Sequence, residues 1–402
     1  MLDGHLHPDF ADVAAVLIRQ IPERELGGAA VCVYHRGEKV VDIWGGSKDR
    51  EGNAWEEDTV APSFSTTKGV MSTLLHILVE DGLASYDDAV ADHWPEFGAN
   101  GKEAITIRHV LTHEAGLYRA SEVIQRPDEM RDWDHMKARV AAASPAHAPG
   151  AAHGYHALTY GWLLGGLIEA ITDKPLQRVL LEELAEPLDL DGCYIGLPHN
   201  ELYRRAKLIT NDGRFGPPEA THGVGADIRR WLVRGFKELG IDFDESKAAL
   251  LPFDQPVDWN DEATVQAVIP AANGQFTARS LARVYAMIAG GGQLDDARLL
   301  SPERVQAMGT IQSKRRDRVL HIPMHWRLGY HRAFAIGANT RSAFGHYGFG
   351  GSGALCDPKR QLSVAMTVNS GGGSPTGGSR IAWIAGAAMR AAERAARRRR
   401  RS

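Results

Sequence analysis

Apolar positions gather in short runs near both ends of the chain and recur at helical spacing through its middle. Residues 29–35 form an apolar run, Arg36-Gly37-Glu38 punctuates it, and residues 39–44 return, which predicts a β-hairpin. Val70, Met71, Leu74, Leu75, Leu78 and Val79 then repeat with a broad helical stripe, and Asp81-Gly82 supplies a stop, so this helix is expected to be buried. From Tyr86 to about Leu251 the pattern is helical and rich in loops, with Pro95, Pro127, Pro145, Pro149 and Pro187 as breakers. Residues 158–171 give the clearest helix of that stretch, apolar nearly all round, with Gly161, Gly165 and Gly166 permitting close packing.

Strand signals return late. Residues 352–355 and 361–368 flank the turn Asp357-Pro358-Lys359-Arg360. A glycine-rich loop at 371–378 follows, and Ile381, Ile384, Ala388 and Ala391 outline a closing helix. Strands at both ends around a helical middle predict an α+β fold: a central antiparallel sheet flanked by helices, with an inserted helical lobe. The expected division joins residues 1–85 and 260–402 in one discontinuous lobe and places 86–259 in the insertion. There are no internal repeats.

The 402 residues suffice for a large core, and 44% apolar with 24% charged content is ordinary for a globular protein. A formal net charge of −4 gives no overall attraction to nucleic acid or to an anionic membrane. Cys32, Cys193 and Cys356 are odd in number and far apart, which predicts free thiols. No stretch is apolar for the length of a bilayer span, and the first residues lack a secretory pattern, so a cytoplasmic protein is expected. The arginine run at 397–401 is expected to be a solvated terminus.

The most informative chemistry is Ser65-Thr66-Thr67-Lys68. It sets a hydroxyl and an amine one helical turn apart, on one face, at the start of the buried helix. A serine hydroxyl is a weak nucleophile until a neighbouring base assists it. At a helix N-terminus the free N–H groups also favour developing negative charge. Two further stretches carry candidate groups: 153–161, running into the glycine-rich helix, and 344–353, a strand edge dense in glycine. Tyr155 and His346, each taken alone, read as core residues. His5, His7 and Asp9 suggest a metal triplet but lack supporting carboxylates downstream, and a loose or surface start is expected there. His113-Glu114 lacks the second histidine of a zinc-protease helix, and His113 is expected to hold the loop around Gly116. Gly350-Gly351-Ser352-Gly353-Ala354 misses the last glycine of a nucleophile elbow, and the loop at 371–378 lacks the ending of a phosphate loop.

Taken in order, Trp44-Gly45-Gly46, Phe64 to Val70, Leu111 to Leu117, Tyr155 to Thr159 and Phe344 to Gly348 resemble the serine β-lactamase and penicillin-binding-protein superfamily. Within it, the chain is most similar to the family VIII, β-lactamase-like carboxylesterases. The resemblance covers nearly the whole chain and implies the β-lactamase/transpeptidase-like form of the α+β fold. It makes Ser65 the nucleophile, Lys68 its partner and Tyr155 the tyrosine of the Tyr-x-Asn motif. It puts His346-Tyr347-Gly348 where relatives carry Lys-Thr-Gly, with His346 and Gly348 on the substrate. The implied oxyanion hole is the backbone N–H of Ser65 with that of Phe349, on the strand facing the nucleophile.

Two departures bear on the substrate. Ala157 replaces the asparagine of Tyr-x-Asn, and His346 replaces a lysine that is always charged. Both weaken recognition of an anionic acylamino β-lactam or peptide. The implied activity is hydrolysis of short-chain, uncharged carboxylic esters through an acyl-enzyme, with no metal or organic cofactor and a small-molecule ester as partner. An acyltransferase with the same site, a β-lactamase or D-Ala-D-Ala-type peptidase, and a non-catalytic binding module are the alternatives. Whether a Tyr155 phenolate, favoured by a Lys68 ammonium, or neutral Lys68 itself takes the serine proton stays open in the sequence.

Overall fold

The computed structural model describes residues 2–21, 27–209, 243–250, 257–370 and 380–399. The glycine-rich loop at 371–378 and the last arginines, Arg400 and Arg401, lie outside the described residues. In chain order the strands are β1 (Leu2–Leu6), β2 (Gly28–His35), β3 (Glu38–Gly46), β4 (Ala61–Pro62), β5 (Cys193–Ile195) and β6 (Gly274–Phe276). They continue with β7 (Gln293–Leu294), β8 (Ala297–Arg298), β9 (His331–Arg332), β10 (Phe344–Tyr347), β11 (Gly353–Asp357) and β12 (Leu362–Val368). Seven of them make one sheet in the order β1-β3-β2-β12-β11-β10-β9, every neighbouring pair antiparallel.

The hairpin predicted at the N-terminal end is β2–β3. His35 pairs with Glu38, and Arg36 and Gly37 between them have φ of 58° and 82°. Positive φ at both central residues matches the right-handed twist of the flanking strands. The two chain ends meet in the middle of the sheet, where β2 pairs with β12 (Val33 opposite Val364). This is the α+β plan expected from strand signals at both ends.

Alternation along these strands divides the core in two. Cys32, Tyr34, Ala354, Cys356 and Ala365 face a large core with helix α2 (Thr66–Glu80) and helix α4 (Ala278–Ala289). Val31, Val33, Leu355, Val364 and Met366 face the other side, under helix α1 (Ala11–Ile18) and the closing helix α5 (Arg380–Arg399). Helix α3 (Thr159–Thr172) packs against α2 within the large core. Each fully buried leucine or valine here contributes about 1.5–3 kcal/mol through removal from water. Helix α2 is buried from Thr66 to Val79, as its broad apolar stripe requires.

Two features departed from expectation. The chain start lies at the surface, as expected, but is not loose: β1 pairs with β3 along the sheet edge, and a Cβ on Gly4 would meet the Trp44 ring at 2.8 Å. Backbone pairing needs no side-chain pattern, so an exposed edge strand of this kind leaves little signal. His5 is exposed there, and His7 Nδ1 accepts a hydrogen bond from the Asp9 N–H at 3.2 Å. Among the described residues no three His, Cys, Asp or Glu side chains are arranged to hold a metal. The second departure is a small sheet, β4-β6-β5, whose strands of two or three residues are too short to show a period. Cys32, Cys193 and Cys356 are free and buried. No helix among the described residues is long and apolar enough to cross a membrane.

Candidate active site

The small sheet sets Ser65. Strand β4 pairs with β6, and the ladder continues as the Ser63 N–H donates to the Gly274 carbonyl at 2.9 Å. The chain then reverses through Phe64, whose φ of 43° is rare for a bulky side chain. Such strain persists only where the surroundings over-determine it. The Thr67 hydroxyl supplies part of that constraint, donating to the Phe64 carbonyl at 2.6 Å and accepting from the Gly274 N–H at 3.1 Å. Ser65 follows at the head of α2, half-buried, and its own N–H has no partner among the described residues.

Ser65 Oγ sits between two groups. Lys68 Nζ lies 3.0 Å away, and the Tyr155 hydroxyl donates to it at 2.8 Å. Lys68 is fully buried, and its nitrogen also donates to the Ala157 carbonyl at 2.7 Å and the Ala271 carbonyl at 2.9 Å. With no carboxylate beside it, burial pushes the Lys68 amine well below its ordinary range. Burial also raises the Tyr155 phenol, outweighing its hydrogen bond to Ser65. Of the two routes that the sequence leaves open, these directions favour neutral Lys68 over a Tyr155 phenolate. Lys68 Nζ stands 5.1 Å from the centre of the Tyr155 ring.

The facing wall is strand β10 and the turn after it. His346 is buried, its Nδ1 is 3.2 Å from the Tyr347 carbonyl, and its Nε2 has no partner among the described residues. Desolvation above all holds its imidazole well below the usual histidine range, so it is neutral. Its ring lies over that of Tyr155, with centroids 6.1 Å apart. Gly348 is a close-approach position: a Cβ there would fall 2.2 Å from the Ser63 carbonyl and 2.9 Å from Thr66 Oγ1. That contact brings the end of β10 against the nucleophile turn. Phe349, expected on the strand, instead opens the short 3-10 turn after it (Phe349–Gly351), its ring edge-on to Phe64 at 5.7 Å. Ala157 places its side chain in a small apolar cluster with Tyr155 and Trp326 and presents its carbonyl to Lys68.

Several residues at the site carried no usable sequence signal. Trp326 stacks on Tyr155 with ring centroids 5.7 Å apart and planes 9° off parallel. Asp317, fully buried, accepts from the Tyr155 N–H and from the Trp326 indole. The Ala271 carbonyl and Trp259, edge-on to Phe64 at 5.5 Å, complete the set. His113, with φ of 61°, packs on Tyr155 and Trp326 and is tied to His156. The Leu117 N–H donates to His156 Nε2 at 3.1 Å, so that ring is protonated on Nδ1 and donates to His113 Nδ1 at 3.3 Å. This pair fastens the loop around Gly116, the role expected of His113. Burial lowers His156 to about 3 and leaves both rings neutral.

A helix-borne Ser–Lys pair, a tyrosine from the middle of the chain and a late glycine-bearing strand define a β-lactamase-like serine site on an α+β fold. The model of the beta-lactamase family matches residues 14–389, and the chain belongs to that family. Esterase/beta-lactamase LipL of Mycobacterium tuberculosis (strain ATCC 25618 / H37Rv) is 38% identical over 373 residues, which is 91% of this chain and 82% of LipL. A family VIII carboxylesterase of known structure is similar at TM-score 0.82 and 31% identity, covering 97% of this chain and 100% of its own. A penicillin-binding protein homologue from Caulobacter crescentus has TM-score 0.82 and 34% identity, with 97% and 100% covered.

Proposed function

We propose that the protein is a serine hydrolase that cleaves carboxylic esters through an acyl-enzyme on Ser65. The observation that carries this reading is Ser65 Oγ held at 3.0 Å from a buried lysine amine and 2.8 Å from a tyrosine hydroxyl. Esterases among the relatives support it. In this reading the discontinuous part (1–85 with 260–402) contributes Ser65, Lys68, His346 and Phe349, and the inserted part (86–259) contributes Tyr155.

The proton path follows from the acceptors. The carbonyls of Ala157 and Ala271 only accept, so they take two N–H bonds of Lys68. In the neutral amine, which burial favours, the lone pair remains for Ser65. Ser65 Oγ attacks the ester carbon as its proton passes to Lys68. The carbonyl oxygen gains the charge, facing the N–H groups of Ser65 and Phe349. Tyr155, kept protonated by burial, gives its proton to the departing alkoxide as the carbon–oxygen bond breaks, and the Lys68 ammonium restores the phenol. Water then attacks the acyl-enzyme by the same route, releasing the acid and Ser65. Neutral His346 and the side chain of Ala157 offer no positive charge or amide to an anionic acylamino substrate, which supports short-chain, uncharged esters.

The test is a panel of nitrophenyl esters from acetyl to palmitoyl, run beside a chromogenic cephalosporin and a fluorophosphonate label. Short esters are expected to turn over fastest. Ser65→Ala is expected to abolish turnover and labelling with little change in melting temperature. Labelling retained at another serine would remove Ser65 from the mechanism. Faster turnover of the cephalosporin than of the butyrate would give the β-lactamase alternative first place.

A further inference from the structure

Tyr155 reaches Ser65 from a loop, and a loop alone does not fix a hydroxyl to a fraction of an ångström. Asp317 is the group that meets it from behind. Its carboxylate is fully buried and makes no ion pair among the described residues. It is satisfied instead by N–H donors. Oδ1 accepts from the backbone N–H of Tyr155 at 3.2 Å, of Val319 at 2.8 Å and of Leu320 at 3.0 Å. Oδ2 accepts from the Trp326 indole at 3.1 Å, and that indole lies flat on the Tyr155 ring. One carboxylate therefore grips both the backbone of Tyr155 and the slab against which its ring rests.

We propose that Asp317 is the positioning residue of this site, fixing Tyr155 through its own N–H and through Trp326 so that the phenol hydroxyl points at Ser65 Oγ. The inference rests on the catalytic reading of Ser65 and Tyr155 given above. Its charge has a second effect. The other groups around Tyr155 are the Lys68 amine, the neutral rings of His113 and His346, and the Tyr160 phenol. Asp317 is the anion of that set, and its charge opposes formation of a phenolate at Tyr155.

A purely structural aspartate and a positioning aspartate differ in what Asp317→Asn does to the pH profile. The amide keeps an oxygen for the three backbone donors but removes the charge and opposes the indole N–H. For a short nitrophenyl ester we expect kcat to fall about tenfold to a hundredfold, the scale of a small misplacement, with KM changed less than about threefold. The alkaline limb of kcat is expected to move to lower pH, and this shift is expected to vanish in a Tyr155→Phe background. Titration with a fluorophosphonate counts intact sites, so a loss explained wholly by fewer labelled sites overturns the proposal. Wild-type kcat with an unmoved alkaline limb overturns it as well. Should Asp317→Asn fail to fold, Trp326→Phe decides: it keeps the stacked ring and drops the N–H, and an unchanged kcat would count against Asp317. Ser65→Ala in the same series separates the two readings. If Ser65→Ala is inert and Asp317→Asn is normal, only the role of Asp317 fails. If Ser65→Ala is active, the catalytic reading beneath it fails.

Discussion

The two sides of the site are built in different ways. On the Ser65 side the pair itself is local: Ser65 and Lys68 are three residues apart on one helix, and Thr67 closes the turn on Phe64, with Gly274, Ala157 and Ala271 bracing them from afar. On the tyrosine side the contacts are remote. Tyr155 is aimed by Asp317 and Trp326, more than a hundred and sixty residues later, and by the ring of His113. A local pair is brought together by its helix, whereas the remote one meets only when the whole fold is closed. The spacing of Ser65 and Lys68 is thus specified by the helix, and the placement of Tyr155 is the part that reports on the integrity of the fold.

The largest effect is expected where the two sides touch. Lys68→Ala and Tyr155→Phe are each expected to lower kcat about a thousandfold, by analogy with other catalytic units, and the double variant little further. Additive losses in free energy would mean that the two sides act independently. Next comes the contact that brings β10 against the nucleophile turn. Gly348→Ala drives a Cβ into the Ser63 carbonyl and is expected to cost about 1–3 kcal/mol of stability in denaturant unfolding. A neutral result would mean that β10 shifts away freely.

A smaller effect is expected from restoring the residues of penicillin-recognising relatives. His346→Lys with Ala157→Asn is expected to move the ratio of kcat/KM toward β-lactams about tenfold, the scale of one charge-assisted hydrogen bond. No movement would take these two positions out of substrate choice. The most gradual effect is acid sensitivity. Burial lowers His156 and His76 to about 3 and His331 to about 4, while in the unfolded chain they titrate near 6.5. Below about pH 6.5 the unfolded state therefore binds protons that the folded state refuses. Stability is full above that pH and is lost as pH falls toward the folded values. Melting temperatures from pH 7.5 down to 5 are expected to decline, and less steeply in His156→Gln. Equal slopes would show that His156 is protonated without penalty.

The same contrast decides what was legible in the sequence. Ser65 and Lys68 could be read because helical spacing itself makes them neighbours, and the sheet could be read because β2, β3, β11 and β12 are long enough to show their apolar pattern. Tyr155, His346 and Phe349 were named through family resemblance, since nothing in their spacing brings them to Ser65. Asp317 was out of reach: it stands in Lys314-Arg315-Arg316-Asp317-Arg318, a charged run that reads as solvated surface. Its carboxylate turns inward where the N–H groups of Tyr155, Val319, Leu320 and Trp326 meet it. The direction of the Tyr155 shift was hidden for a related reason, because desolvation depends on everything packed around a group.

The burial of Lys68 bears on how the protein can be handled chemically. Its amine is sealed from solvent and occupied by two carbonyls, whereas Lys39, Lys174 and Lys207 present accessible side chains. Amine-directed coupling to a resin or a dye is therefore expected to decorate the exterior and spare Lys68.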